Sequence, residues 1–271
     1  MTTKRGVLAV LIVGLWAAGM VVMLRRSANR SEAQQLAEVA LRLQPATFYY
    51  TIERDGQQIG AASSALDTTA KSLVGEEYFV GEHPAPGRKS VERTSARWQT
   101  RLTRGLRLIG LSIDVARPTR PFTINASVAE DTTLIIGTKR PARHLPAHYT
   151  FTPPLYTPTL ASIVFMLGGP HEIGRKQTLS VFDPTTRTVI RPELTIKADS
   201  LFTVIDSAAL DKTGNWEPAH RDTVRAWRIE GAPHGLSAWV DADGRIVAAK
   251  AGTFSATRTA FEIAFKNPKA K

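Results

Sequence analysis

Residues 237–247 read SAWVDADGRIV. Two aspartates followed by a glycine invite two readings, a calcium loop or the turn of a β-hairpin. A calcium loop of the EF-hand kind needs oxygen ligands at positions 1, 3 and 5, glycine at position 6 and glutamate at position 12. With Gly244 at the sixth place, Trp239 falls on the first and Lys250 on the twelfth, and neither supplies a carboxylate. The flanks look like strands, and Asp243 with Gly244 supplies the positive φ values that a tight turn needs. The stretch is therefore read as strand, turn, strand.

The same grammar extends toward the N-terminus. Residues 47–53 and 58–64 flank Asp55 and Gly56 and read as a second hairpin. In residues 91–103, Arg93, Ser95, Arg97, Gln99 and Arg101 alternate with Thr94, Ala96, Trp98, Thr100 and Leu102, the period of two expected of a strand. Further strands are expected at 106–115, 122–128, 132–137, 177–182, 188–197, 201–207, 224–230, 235–241, 245–250 and 257–264. One helix interrupts them. Thr157 is an N-cap and Pro158 a first-turn residue, Leu160, Ile163, Val164 and Leu167 follow helical spacing, and Gly168-Gly169-Pro170 ends it. The fold class expected is mainly β: an antiparallel curved sheet or sandwich, or a partly open barrel, with one short packed helix. Prolines 141, 146, 153, 154 and 158 mark a loop that divides the β-rich region 46–271 into two halves, 46–140 and 155–271.

Ahead of this region the pattern differs. Residues 7–24 are an uncharged apolar run, with Lys4 and Arg5 before it and Arg25 and Arg26 after it. As a helix it would cover about 27 Å, close to the thickness of a thin bilayer. The run ends without a small-residue cleavage site, so residues 1–30 are read as an uncleaved signal anchor, a transmembrane helix, in preference to a removed leader. Residues 31–45 read as a helical stem, with Leu36, Val39, Ala40 and Leu43 on one face, Ser31 as N-cap and Pro45 as stop. A large polar domain after such an anchor is expected on the periplasmic, extracytoplasmic side of the cell inner membrane.

Composition narrows the chemistry. The 271 residues include no cysteine, which removes disulfides, thiolate metal sites and cysteine nucleophiles. The formal charge is +11, but five cations and no acid fall in residues 1–30, so the rest carries a net +6. That modest excess has no nucleic-acid reader motif beside it, and nucleic acid is not an expected partner. His144 and His148 have a spacing of four, but Pro146 between them breaks the helix that would put them on one face. Residues 169–176 (GPHEIGRK) resemble a phosphate loop only superficially, since Arg175 stands where lysine is needed and Pro170 removes an N–H donor; a helix stop and turn is the better reading. His220 and Asp222 flank Arg221, without a G-x-S-x-G nucleophile elbow anywhere. Arg93, Arg97 and Arg101, with Lys89, Arg104 and Arg107 near, make the most basic surface, read either as solvated charge or as a contact face for anionic lipid, glycan or an acidic partner.

The apolar run with its trailing arginine pair, FYYTIERDGQQIGAASSALDT (48–68), GLRLIGLSIDV (105–115), LASIVFMLGG (160–169), LSVFDPTTRTV (179–189) and AWRIEGAPHGLSAWVDADGRIV (226–247) together resemble the membrane-anchored β-rich N-terminal region of bacterial transglutaminase-like proteins. They are also similar to a related bacterial family of unknown function. The resemblance spans most of residues 5–265. It implies a β domain without the catalytic domain, because those enzymes work through a Cys, His and Asp triad and this chain has no cysteine. No catalytic residue, cofactor or metal ligand carries over.

The leading expectation is a non-enzymatic, membrane-anchored binding or scaffold domain, accessory to an envelope enzyme or transporter. The alternative is a carrier or sensor of an apolar ligand, built as a lipoprotein-carrier-like half-barrel with the 158–167 helix against a curved sheet. A hydrolase with a His and Asp or Ser site is the third.

Overall fold

The computed structural model describes Glu38, Leu41 and residues 43–69, 72–84, 91–119, 121–130, 132–140, 147–151, 153–183, 186–232 and 236–265. The anchor expected at 1–30 lies outside the described residues, as does most of the stem. Among the described residues no helix is long and apolar enough to cross a membrane. Leu43, near the end of the segment read as the stem, is buried in the core.

The first run of strands is β1 (Ala46–Arg54), β2 (Gln57–Thr68), β3 (Ser72–Pro84), β4 (Val91–Thr103), β5 (Leu108–Ala116), β6 (Phe122–Ala129), β7 (Thr133–Arg140) and β8 (Ala147–Thr150). A short β9 (Leu155–Tyr156) leads into helix α1 (Pro158–Leu167), followed by β10 (Lys176–Thr178), β11 (Ser180–Asp183) and β12 (Thr188–Ile190). The chain ends in β13 (Glu193–Leu210), β14 (Trp216–Ala232), β15 (Leu236–Val240), β16 (Ile246–Ala251), β17 (Phe254–Thr259) and helix α2 (Phe261–Ala264).

Among the described residues fourteen strands make one antiparallel sheet in the order β10-β13-β14-β15-β16-β17-β1-β2-β3-β4-β5-β6-β7-β8. Two meanders, one from each side of the proline-rich loop, meet where β17 pairs with β1, Arg258 opposite Tyr50 and Ala256 opposite Ile52. β10 and β8 are the two edges, so the sheet curls but does not close into a barrel. The strands coil because of their inherent right-handed twist, helped by a glycine pair. Gly60 faces Gly81 across β2 and β3, and a Cβ on Gly60 would lie 2.5 Å from the Val80 carbonyl.

Helix α1 is the centre of the molecule. Thr157 Oγ1 accepts from the Leu160 N–H at 3.4 Å, and the Gly168 N–H closes the last turn on Val164 O, as the cap residues in the sequence dictate. Leu160, Ala161, Ile163, Val164, Phe165 and Met166 are all buried, so the helix is apolar nearly all round and is held inside. Each large side chain among them contributes about 1.5–3 kcal/mol relative to exposure. The curved sheet wraps one side. The other is covered by the small sheet β12-β11-β9, whose Tyr156, Val181 and Phe182 are buried against the same core.

Three hairpins share one turn. In Asp241 to Arg245, Asp211 to Asn215 and Thr103 to Arg107, the first N–H bonds the fifth carbonyl, the fourth N–H bonds the first carbonyl, and the first side chain accepts from the fifth N–H. The fourth residue has positive φ each time: Gly244 (76°), Gly214 (77°) and Leu106 (59°). Leu106 tolerates this left-handed backbone because its side chain is fully buried in the core.

Several strands differ from the sequence expectation. β3 was not anticipated: Gly75, Glu76, Glu77 and Gly81 mask its alternation, and Glu77 points a carboxylate at the core side. β13 is one long strand where two were expected, because Asp199 and Ser200, which look like a turn, lie just past a bulge at Ile196 and Ala198. β14 begins at Trp216, eight residues before the expected start. Its first half is exposed to solvent on both faces, so no apolar alternation marks it. The expected strand 257–264 becomes β17 followed by α2, since Phe261 and Phe265 turn back to pack on Tyr49.

Candidate functional site

Between α1 and the strands β13 to β17 an apolar pocket lies partly open to solvent. A cavity of about 480 Å³ lies there, within the range of about 300–1,000 Å³ usual for small-molecule sites. The reason is legible in the residues. The sheet contributes Gly231, Ala238, Ala249, Ala251 and Ala256, and the helix offers Ala161 and Ser162 on the facing side. Register places Ala238 opposite Ala249 and Ala249 opposite Ala256, so three adjacent strands present methyl groups to one spot. Ile52, Val181, Leu194, Ile229, Ile246 and Phe254 wall the space. Among the described residues Lys250 is the one charged residue lining it, and its register with Ser255 sets its side chain on the face opposite Ala249 and Ala251.

The helix is fixed over this space by the turn that opened the sequence reading. A Cβ on Gly244 would lie 2.5 Å from Ile163 Cα and from Ser162 O, so the turn rests directly on the helix backbone. The Ser162 hydroxyl donates to Gly244 O at 2.8 Å. Asp241 Oδ1 accepts from the Asp243 and Arg245 N–H groups at 3.1 and 2.9 Å, and Asp241 Oδ2 takes the Arg258 guanidinium at 2.7 Å. Arg258 also donates to the carbonyls of Ile246 and Arg245 and covers the Phe48 ring at 4.2 Å. This ion pair is nearly buried, its side chains 9% and 15% exposed. Of the two aspartates, Asp241 is both the turn cap and the ion-pair partner, and Asp243 contributes its backbone N–H to the turn. Among the described residues no three His, Asp or Glu side chains converge as a metal site.

Two further titratable groups belong to this cluster. Tyr50 is pushed up to about 12, chiefly by burial, and stays neutral. Glu77 keeps some exposure as a residue, but its carboxyl is desolvated and raised above its ordinary value, with a hydrogen bond from Thr159 in the first turn of α1 opposing the shift.

At the other end of α1, Arg175 lies over the Phe165 ring at 4.5 Å and donates to the carbonyls of Phe165 and Pro170. His171 Nε2 is 3.2 Å from Met166 O and its ring packs on Trp227. The GPHEIGRK segment thus sits at a helix C-terminus, where carbonyls gather and cations are favoured. That polarity is opposite to a phosphate site.

The remaining sequence candidates are dispersed. His220 and Asp206 pair at 2.8 Å on the exposed β13/β14 hairpin, while Asp222 accepts from the Thr223 N–H. Among the described residues no serine hydroxyl bonds His220. His144 and Lys89 lie outside the described residues, and His148 is exposed on β8. Arg93, Arg97 and Arg101 share the outer face of β4, as their alternation implies. Arg97 pairs with Glu76 at 2.8 Å, and Glu82 stands opposite Arg93 in register. Arg104 donates to Thr69 O.

No family model matches the chain, and no curated protein matches it. Among solved structures it is similar to the crystal structure of a β-barrel-like protein of the domain of unknown function DUF1849 from Brucella abortus. The likeness covers 80% of this chain and 95% of that one, at 13% sequence identity and a TM-score of 0.50. At that identity it speaks to the fold alone, a large curved antiparallel sheet.

Proposed function

We propose that the chain is a membrane-tethered, extracytoplasmic binding domain for an apolar ligand, of carrier or sensor type and without catalytic activity. The observation that carries this is the unfilled apolar cavity between α1 and β13 to β17. Protein interiors are otherwise packed to crystal-like density, and a floor built of alanines from three adjacent strands is a poor way to make a core but a good way to hold an acyl chain or similar group. A scaffold role alone would be served by a filled core. The tether rests on the apolar run at 7–24, and an envelope enzyme or transporter as the partner rests on the resemblance to β-rich regions of transglutaminase-like proteins.

Titration of the full-length chain with a fluorescent apolar probe such as N-phenyl-1-naphthylamine tests the reading. One saturable site is expected, and Ala249→Trp, which places an indole in the cavity, weakens it at least tenfold. Probe binding that ignores the substitution counts against the cavity as the site.

A further inference from the structure

We propose that the outer face of β4 to β7 carries a site of its own, independent of the apolar cavity, for a short oligosaccharide that bears a carboxylate. A groove of about 520 Å³ lies on that face, lined by Gln99, Arg101, Ser112, Asn125, Ser127 and Ile135. Strand register brings these side chains together. Gln99 is opposite Ser112, Ser112 opposite Asn125 and Asn125 opposite Gly137, so one row crosses β4 to β7, roughly 14 Å at the usual strand spacing. In the next row Gly110 is the partner of both Arg101 and Ser127 and puts no side chain between them, and Ile135 follows Ser127. Thr100, Ile113, Ile124 and Ile136, which alternate with these residues, are buried, so the groove residues face outward.

The polar groups of the groove are largely uncommitted. Among the described residues the side chains of Asn125, Ser127 and Arg101 have no hydrogen bond or ion pair, although Asn125 is half-buried. Gln99 Nε2 donates to Glu76 at 3.4 Å and the Ser112 hydroxyl to Asp114 at 3.5 Å, both long contacts. Amides and hydroxyls each donate and accept, as sugar hydroxyls do, so the two rows match a polyol better than an acyl chain. A peptide strand would seek free main-chain groups, which a sheet offers at its edges and not on its face. Single-stranded nucleic acid would seek stacking aromatics, and the groove lining holds none among the described residues. Charge selects among saccharides. Among the described residues no acid lines the groove, and of the acids on the same face Asp114 accepts from Thr123 at 2.7 Å and Glu76 holds Arg97 at 2.8 Å. Arg101 thus presents a free planar fork suited to a carboxylate, such as that of a uronic acid.

The test is calorimetric titration of the full-length chain in zwitterionic nanodiscs with trigalacturonate and with its methyl ester, which keeps the hydroxyls and loses the charge. The acid should bind at one site, about fivefold to tenfold tighter than the ester, the gain available from one charge-assisted contact. Arg101→Gln brings the acid to the affinity of the ester, and Asn125→Ala combined with Ser127→Ala weakens both probes about fivefold. None of these three residues is fully buried, so the variants keep the fold. Arg93→Gln, on the same face of β4 but outside the groove, and Ala249→Trp, in the apolar cavity, leave acid binding unchanged. Equal binding of acid and ester overturns the carboxylate. An equal loss from Arg93→Gln and Arg101→Gln overturns the groove in favour of diffuse attraction to the basic face. Binding of neither probe overturns the site and leaves the apolar-ligand reading standing.

Discussion

Replacing Gly244 by alanine isolates the contact between the DADGR turn and the central helix. Two costs add at this position. Gly244 has φ of 76°, a conformation that costs an L-residue about 1–2 kcal/mol. The new methyl would also meet Ile163 Cα and Ser162 O at 2.5 Å and Ile163 N at 2.7 Å. All are backbone atoms of α1 that no rotamer change can clear, so overpacking adds about 1–3 kcal/mol. The stiffer unfolded chain returns about 0.4–1 kcal/mol, leaving a net loss of about 1–4.6 kcal/mol. Gly214 supplies the internal control. It occupies the same place in the same turn with φ of 77°, but nothing lies within 4 Å of its Cβ position. Gly214→Ala should therefore show the backbone cost alone, about 1.6 kcal/mol or less after the same offset. Urea denaturation followed by tryptophan fluorescence measures both. If the two variants lose the same stability, the turn does not clamp the helix.

Other consequences follow from the same cluster and from the helix ends. Arg258→Met leaves the Asp241 carboxylate nearly buried without its partner and should cost about 3–5 kcal/mol, measurable in the same urea titration; a loss below that of an ordinary surface change would contradict the buried pair. Arg175→Ala removes the cation that closes the α1 C-terminus and should cost about 1–2 kcal/mol, whereas Arg175→Lys, which keeps a donor, should recover part of it. Glu77 gives a pH signature. Its folded carboxyl is raised above the ordinary 4.5 by burial, so the native state holds the proton more tightly than the unfolded chain. Stability from this group is full below pH 4.5 and falls as pH rises through the raised value. Glu77→Gln should flatten that part of the stability-versus-pH curve and be the more stable protein at neutral pH; an unchanged slope would show that the carboxyl is solvated.

The sequence revealed the elements whose local chemistry is self-contained. The DADGR hairpin was readable because a calcium loop failed at Trp239 and Lys250 while Asp243 and Gly244 met the demands of a turn. Helix α1 was readable to the residue, since Thr157, Pro158 and Gly168 are cap signals that do not depend on tertiary context. β3 and the first half of β14 were not. A strand is recognised by the alternation that burial of one face imposes. Glu77 breaks that alternation by facing inward, and residues 217–223 have no buried face to report. The cavity was hidden for a related reason. Ala238, Ala249 and Ala256 are unremarkable in sequence, and only the pairing of β15, β16 and β17 brings their methyl groups to one place opposite Ala161. The ion pair between Asp241 and Arg258 likewise joins residues seventeen apart through the pairing of β16 with β17 and the turn, which no local pattern encodes.

A crystal structure with a bromine-labelled fatty acid is the most direct test of ligand binding in the cavity. Anomalous scattering should place the bromine between α1 and the alanine floor of β15 to β17, and the peak should vanish in the Ala249→Trp protein. A bromine peak elsewhere on the molecule, or none at saturating ligand, would contradict it.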